Sequence, residues 1–227
     1  MAAAKEFEQD SLSLQAIEKE ADRQVRSGDL LSVPVSPGNG LQLLVSRQSY
    51  NAEKSIIRHV LEGKEAVTPL MDKVPDAQLA GLTDGQRNAT RMILESPDRF
   101  TLVQGYAGVG KTTQFRAVMS AIGTLPEREQ PRVIGVAPTH RAVSEMRDAG
   151  VPETQTLAAF IHDTQQQLRG GERTDFSNVL FLVDESSMVG NADMAKAYSL
   201  IAGGGGRAVS SGDTDQLQSI APGQPFR

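Results

Sequence analysis

A chain of 227 residues and 24.4 kDa is long enough for one or two domains that bury a full apolar core without disulfides or a structural metal. The absence of cysteine excludes a disulfide scaffold, thiolate zinc sites and a cysteine nucleophile. With 23 basic and 28 acidic residues the formal net charge is -5, which excludes a non-specific basic coat for nucleic acid. The longest apolar run, Val179 to Val183, is too short to cross a membrane, and the first residues are not typical of a secretory signal.

The first 80 residues predict a small α+β accessory region. Apolar residues spaced three and four apart indicate a helix over 11–27. Two β-rich runs, 29–35 and 41–46, flank a Pro-Gly-Asn-Gly sequence that favours a hairpin. A second helix is expected over 52–61. Residues 64–80 have weak periodicity, two prolines and mixed charge, and we interpret them as a linker.

Beyond residue 80 strands and helices alternate. Buried-looking strands joined by helical crossovers predict an α/β fold with a parallel sheet and helices on both faces, as one domain over 81–227. The expected strands are Phe100 to Gln104, Val133 to Ala137, Val179 to Val183 and Arg207 to Ser211. The expected helices are 84–95, 111–122, 140–149, 156–168 and 191–201.

A glycine-rich loop between the first of these strands and the following helix carries the strongest chemical signal. It matches the pattern G-x-x-x-x-G-K-[ST], in which main-chain N–H groups and a helix N-terminus surround phosphate oxygens. Lys111 is expected to reach the β- and γ-phosphates and Thr112 to bind Mg²⁺, so ATP and Mg²⁺ are the expected cofactors. The alternative is a glycine-rich turn that fits the pattern by chance. The predicted nucleotide-binding residues are Gly105, Tyr106, Ala107, Gly108, Val109, Gly110, Lys111, Thr112 and Thr113.

An acidic pair follows the apolar strand Val179 to Val183. A phosphate site needs a second group that holds the metal and a base that orients the attacking water. Asp184 fits the metal ligand, together with Thr112, and Glu185 fits the base. Taken alone, two acidic residues at this position are more often a solvated strand end. The glycine-rich loop upstream favours the catalytic interpretation.

Two glutamines complete the predicted nucleotide site. Gln216, just past the last strand, is placed to bond the γ-phosphate and sense its loss, although the segment also fits a polar turn. Gln86 follows Thr83 at the spacing of a capping box, in which it merely satisfies a main-chain N–H. The competing role is a contact with the adenine edge, and both roles are compatible.

These segments, together with 137–142, 156–157 and 184–188, occur in the order typical of superfamily 1B, RecD-like helicases. The resemblance covers residues 82–224. The whole chain resembles part of the helicase region of an F-like conjugative relaxase-helicase. This implies a RecA-like P-loop lobe, an ATP hydrolase running 5′ to 3′ on single-stranded DNA, and a cytoplasmic bacterial location. It also favours the adenine contact for Gln86 and a catalytic role for Lys111, Glu185 and Gln216.

By the same resemblance, segments at two strand ends are expected to contact DNA. The residues implied are Thr139, His140, Arg141 and Thr156, with Phe160 as a further stacking candidate. Hydroxyls and main-chain amides position phosphates, and an aromatic ring stacks on any base. Thr139 fits a helix N-cap equally well, and a phenylalanine is more often a core residue.

Motors of this class need a second RecA-like lobe, and only 16 residues follow Ser211. The sequence therefore predicts one lobe of a longer protein, which binds nucleotide weakly and does not unwind a duplex alone. A catalytically silent RecA-like scaffold for single-stranded DNA or a partner protein stays open as an alternative. A small-molecule phosphotransferase is disfavoured, because it needs a basic lid and Lys196 is the sole cation within 186–206.

Overall fold

The computed structural model describes residues 13–34, 42–104 and 110–212. Contacts between Cα atoms divide the chain into two units, Met1–Ala52 and Glu53–Arg227. The predicted division at residue 80 stays a prediction. None of the described helices is both long and apolar enough to cross a membrane.

The smaller unit contains a helix and an antiparallel pair of strands. Helix α1 (Leu14–Ser27) begins where the Ser13 hydroxyl accepts a hydrogen bond from the main chain, and it ends at Gly28 with φ of 80°. Strands β1 (Leu30–Pro34) and β2 (Gln42–Ser46) pair in register, as the hairpin prediction requires. The Pro-Gly-Asn-Gly turn expected between them lies outside the described residues. Helix α2 (Arg47–Glu62) begins directly after β2 and is longer than predicted.

The larger unit is built on five parallel strands. The strands are β3 (Phe100–Gln104), β4 (Arg132–Ala137), β5 (Glu153–Thr156), β6 (Val179–Val183) and β7 (Arg207–Gly212). Their order across the sheet is β3, β7, β6, β4, β5. The helices are α3 (Asp76–Leu79), α4 (Asp84–Glu95), α5 (Lys111–Ile122), α6 (His140–Asp148), α7 (Leu157–Arg169) and α8 (Asn191–Gly203), with 3-10 turns at Glu127–Glu129 and Ser186–Met188.

Alternation along β6 divides the core into two layers. Leu180 and Leu182 face the layer packed by α4, α5 and α6, whereas Phe181 and Val183 face the layer packed by α7 and α8. All five residues of β6 are buried, because helices cover both faces of the sheet. The predicted fold class, a parallel α/β sheet flanked by helices after a small α+β region, is confirmed.

Two parts of the larger unit differ from the sequence-based expectation. Strand β5 was not predicted, because Glu-Thr-Gln-Thr is short and polar and forms an edge that pairs with β4 alone. The segment 64–80, interpreted as a linker, buries Met71, Val74 and Leu79 in the first core layer. Its scattered apolar residues have no regular period, because most of the segment is irregular chain that follows the surface of the core.

Candidate functional site

The carboxyl ends of the five parallel strands lie along one edge of the sheet. The glycine-rich loop follows β3 in the sequence, the acidic pair follows β6, and Thr139 lies two residues beyond the end of β4. The segment with Gln216 follows β7, and Thr156 ends β5. The described strand ends that these motifs adjoin in the sequence therefore all lie at the same edge.

The end of the glycine-rich loop is described from Gly110 onward. Gly110 is the N-cap of α5 and has φ of 77°, a left-handed conformation that costs little only for glycine. A Cβ at this position would lie 2.7 Å from Nε2 of Gln86, so the two residues are in close approach. The backbone geometry at Gly110 thus explains why the motif has a glycine at this position.

Gln86 connects the start of α4 to this loop. Its Oε1 accepts a hydrogen bond from the Thr83 N–H at 3.0 Å, and its own N–H donates to the Thr83 hydroxyl at 3.3 Å. The capping box is confirmed. In addition, Nε2 of Gln86 donates to the carbonyl of Gly110 at 3.3 Å. Gln86 therefore lies beside the nucleotide motif, and its adenine contact stays a prediction.

Several predicted nucleotide-site groups lie outside the described residues. These are Gly105, Tyr106, Ala107, Gly108, Val109, the Lys111 side chain and Gln216. Within the described part of α5, Thr112 is half-buried and Thr113 is exposed. Their roles stay predictions.

Asp184 is 5% exposed and its orientation is fixed from two neighbouring strands. Its N–H donates to the Val136 carbonyl at 2.9 Å, which extends the pairing of β6 with β4. Its Oδ1 accepts hydrogen bonds from the Glu185 N–H and from the Ser211 hydroxyl, both at 2.8 Å. The Asp184 carboxylate and the Thr112 hydroxyl are hard oxygen donors of the kind Mg²⁺ prefers, so the residues present fit that ion.

Two serines that support this carboxylate were not singled out from the sequence. Ser211 bonds Asp184 directly, and the Ser186 hydroxyl donates to the Ser211 carbonyl at 2.7 Å. Both serines are buried. The available signal was their polarity at the ends of two apolar strands, which becomes informative only once β6 and β7 are known to be neighbours.

Glu185 adopts a left-handed backbone conformation, with φ of 49° and ψ of 34°. Such a conformation is uncommon for a residue with a Cβ and often occurs at functional sites. The Thr139 hydroxyl donates to Oε2 of Glu185 at 2.9 Å. The same hydroxyl accepts a hydrogen bond from the Ala142 N–H at 3.2 Å, which caps α6. Thr139 therefore contacts the predicted base directly.

The other residues expected to contact DNA lie at the same edge. His140 and Arg141 are exposed on the first turn of α6, and Arg141 pairs with Glu145 at 2.9 Å. Thr156 caps α7 by accepting a hydrogen bond from the Ala159 N–H at 3.2 Å. Phe160 is different: it is 3% exposed and packs against Phe181 with ring centroids 5.0 Å apart. The core role, which the sequence favours for this phenylalanine, is confirmed, and the candidate stacking role is wrong, because the ring is part of the second core layer.

Comparison with known proteins identifies the family of this chain. A family model described as an AAA domain matches residues 81–227. The chain belongs to the AAA domain family. The AAA domain covers the five-stranded sheet and every strand-linked motif described above.

Relatives of this chain include conjugation proteins. The chain is 68% identical over 224 residues to the multifunctional conjugation protein TraI of Escherichia coli strain K12, covering 99% of this chain and 13% of that protein. It is 32% identical over 149 residues to the conjugal transfer protein TraA of Agrobacterium fabrum, covering 64% of this chain and 12% of that protein. These matches confirm the resemblance to a RecD-like helicase region of a conjugative relaxase-helicase. The chain spans only about an eighth of the length of these relatives.

Among solved structures, the chain is similar to one described as the complex structure of Arterivirus nonstructural protein 10 (helicase) with DNA. The two are 15% identical, with a TM-score of 0.32, and the match covers 85% of this chain and 41% of that one. A TM-score at this level is too low to carry an argument about function.

Proposed function

We propose that residues 81–227 form the first motor lobe, which binds ATP and Mg²⁺, of a 5′ to 3′ single-stranded-DNA translocase and helicase. This lobe would belong to a longer bacterial relaxase-helicase of conjugative DNA transfer, located in the cytoplasm. One observation carries the proposal. Asp184 and Glu185 follow β6 at the carboxyl edge of the sheet, where β3 also ends. The Ser211 hydroxyl donates a hydrogen bond to the Asp184 carboxylate, and the Thr139 hydroxyl donates one to the Glu185 carboxylate.

The nucleotide would be held by groups that follow β3 and β6 and by a residue at the start of α4. The main-chain amides of residues 105–113 and the Lys111 ammonium would bind the phosphates, and Gln86 would contact the adenine edge. Thr112 and Asp184 would hold Mg²⁺, which when bound neutralises charge that develops on the phosphates. Because Ser211 and the Glu185 N–H already orient Oδ1 of Asp184, little reorganisation of this carboxylate is needed.

Hydrolysis would then use groups of this chain for proton transfer and sensing. Glu185 would accept a proton from the attacking water, and Gln216 would bond the γ-phosphate and respond to its loss. Thr139, His140, Arg141 and Thr156 would contact the DNA backbone, which carries no sequence information. A second RecA-like lobe in the parent protein would complete the nucleotide site.

Binding is tested by thermal shift of the 227-residue chain titrated with Mg-ATP, with and without a single-stranded oligonucleotide. We expect the melting temperature to rise with nucleotide and the two ligands to change each other's affinity. Lys111→Ala should remove the response to nucleotide, whereas Lys196→Ala, on the exposed surface of α8, should keep it. A response to DNA without any response to nucleotide would instead support the silent scaffold.

Polarity is tested in the intact parent protein. Duplexes with a single-stranded tail at the 5′ or the 3′ end of the loading strand should be unwound only from the 5′ tail. Equal unwinding from both tails, or unwinding from the 3′ tail alone, would contradict the proposed direction.

A further inference from the structure

A cavity of about 480 Å³ lies at the amino end of the five-stranded sheet, opposite the edge at which the predicted motifs follow their strands. Its walls include Arg99 just before β3, Ser177 shortly before β6, Arg207 at the start of β7 and the irregular segment 66–70. Pockets that bind small ligands usually have volumes of about 300–1,000 Å³. The cavity is therefore large enough for a small molecule, and none of its lining residues belongs to the predicted nucleotide site.

Two arginines line this cavity, and neutral acceptors hold both of them. Nη1 of Arg99 donates to the Gly206 carbonyl at 2.7 Å, and Nη2 of Arg207 donates to the Thr68 carbonyl at 2.6 Å. Within 13–34, 42–104 and 110–212, no carboxylate forms an ion pair with either arginine. The hydrogen bonds therefore fix the two guanidinium groups in place without neutralising their charges.

The charge of Arg207 is poorly compensated. Its Nη1 is buried and donates to no acceptor in the part of the chain that the structure describes. Burial lowers the pKa of Arg207, and the nearby positive charge of Arg99 lowers it further. Glu129 also lines the cavity, but it is exposed and pairs with Arg128 at 3.4 Å. Because a partly buried cation without a counter-ion is costly, an anion in the cavity would stabilise this arrangement.

A phosphate group matches the two guanidinium groups better than a carboxylate does. A phosphate monoester carries a charge of about −1.5 to −2 at neutral pH, whereas a carboxylate carries a single negative charge. The planar guanidinium group also pairs well with phosphate oxygens, because two of its N–H groups can donate side by side. Val67, Pro69 and Leu70 line the same cavity and offer apolar contact to an organic group attached to the phosphate.

We infer that this cavity binds a phosphate group through Arg99 and Arg207, either as free phosphate or as the monoester of a small molecule. The apolar wall at 66–70 favours the monoester. The inference goes beyond the proposed function and does not depend on it, because the cavity and the proposed nucleotide site lie at opposite ends of the sheet.

The test titrates the 227-residue chain with inorganic phosphate, phenyl phosphate or benzoate at constant ionic strength, followed by calorimetry. Both phosphate probes should bind saturably. Tighter binding of phenyl phosphate identifies a monoester as the ligand, since its ring gains apolar contact, and equal affinity identifies free phosphate. Benzoate has the same ring with a single charge and should bind more weakly. Benzoate binding as tight as that of phenyl phosphate would overturn the assignment to phosphate.

Substitutions locate the bound phosphate. Arg99→Gln and Arg207→Gln should each weaken phenyl phosphate about tenfold or more, the scale expected for loss of a hydrogen bond between charged groups. Arg132→Gln is the matched control, because it removes a guanidinium at the same end of the sheet that is paired with Glu153 and does not line the cavity. Equal affinities in all three variants and the unmodified chain would overturn the inference.

A measurement on the unmodified chain covers the case in which an arginine variant does not fold. In nuclear magnetic resonance spectra, the side-chain N–H signals of Arg99 and Arg207 should shift with phenyl phosphate along the calorimetric saturation curve, and that of Arg132 should not. Absence of any shift at Arg99 and Arg207 would overturn the inference without any substitution.

The phosphate loop is a competing site for the same probes, and Lys111→Ala separates the two. Binding of phenyl phosphate at the arginines should persist in Lys111→Ala and should not be displaced by Mg-ATP. Loss of binding in Lys111→Ala, or displacement by Mg-ATP, would place the phosphate in the nucleotide site and overturn this inference while supporting the proposed function. Arginine-dependent phosphate binding in a chain with no response to Mg-ATP would support this inference while the proposed function failed.

Discussion

At the amino end of the five-stranded sheet, arginines are bonded to a carboxylate or to main-chain carbonyls, whereas at the carboxyl end carboxylates accept from hydroxyl and main-chain donors. Arg132 makes two hydrogen bonds to Glu153, at 2.6 and 2.5 Å. Arg99 donates to the Gly206 carbonyl at 2.7 Å, and Arg207 to the Thr68 carbonyl at 2.6 Å. Burial, and secondarily the charge of Arg99, lowers the pKa of Arg207 below its usual range.

The two ends of the sheet differ in whether the hydrogen-bond donor neutralises the charge of the carboxylate. A guanidinium paired with a carboxylate cancels its charge, which suits a contact that joins β4 to β5. The Ser211 and Thr139 hydroxyls fix the orientation of Asp184 and Glu185 without adding a positive charge. We therefore expect the amino end to serve stability and the carboxyl end to serve the proposed chemistry, so that substitutions at the two ends affect different measurements.

The largest effect is expected for Lys111→Ala at the carboxyl end. Loss of the ammonium removes electrostatic stabilisation of the transferred phosphoryl group, so ATP hydrolysis by the parent protein should fall by about 10³-fold. The melting temperature without nucleotide should change little. Lys196→Ala is the matched control on an exposed helix face. Retained hydrolysis in Lys111→Ala would refute the assignment of the nucleotide site to this end.

A smaller loss is expected for Glu185→Gln. The amide cannot accept the proton of the attacking water, so turnover should fall by about 10²-fold while the affinity for Mg-ATP is preserved. Turnover is measured under saturating ATP and DNA, and affinity by calorimetric titration. A large loss of affinity with little change in turnover would assign Glu185 to the metal instead.

Ser211→Ala should weaken binding of Mg-ATP by about tenfold, the scale at which residues that orient a metal ligand usually act. The reason is that Oδ1 of Asp184 loses its hydroxyl donor. The adjacent Ser210 is the matched control, because its hydroxyl lies 2.8 Å from the Tyr198 hydroxyl. Ser210→Ala should lower the free energy of unfolding by about 1–3 kcal/mol without weakening the nucleotide. Equal weakening by both variants would contradict a specific role for Ser211.

The features of the two sheet ends that could be predicted from the sequence are those set by residues close together in the chain. The Thr83, Thr139 and Thr156 side chains cap helices by hydrogen bonds to residues three positions later. Each of these helices begins within one residue of its predicted start. Apolar runs and glycines likewise predicted the strand before the glycine-rich loop and the helix after it. Because each predicted motif follows a strand of a parallel sheet, the sequence also indicated that the motifs belong to the carboxyl edge of that sheet.

Contacts between strands distant in the chain were beyond such reasoning. The bond between Ser211 and Asp184 depends on β6 and β7 being neighbours, and the bond between Thr139 and Glu185 on β4 lying beside β6. Strand order is set by packing of the whole unit rather than by any local pattern. For the same reason β5 was missed, since its polar residues are explained only by an edge position. The two alternatives for Phe160, a core residue or a DNA contact, were decided only by its packing on Phe181.

The smallest effect is expected at the amino end, for Glu153→Gln. Hydrogen bonds from Arg132 lower the pKa of Glu153 below its usual 4.5. Because the pKa is lower in the folded state, the pair stabilises the protein above pH 4.5, and this stabilisation is lost as the pH falls through the folded value. The two side chains are 56% and 46% exposed, so solvent screening limits the loss at pH 7 to about 1 kcal/mol or less.

Urea unfolding of the chain and of Glu153→Gln, at pH 7 and well below pH 4.5, measures this contribution. The difference in free energy of unfolding should be present at pH 7, should shrink with added salt, and should vanish in acid. ATP hydrolysis by the parent protein carrying Glu153→Gln should be unchanged, because β5 reaches the nucleotide edge only at Thr156. A loss of hydrolysis without a loss of stability would contradict the separation of the two ends, since the amino end would then influence the chemistry directly.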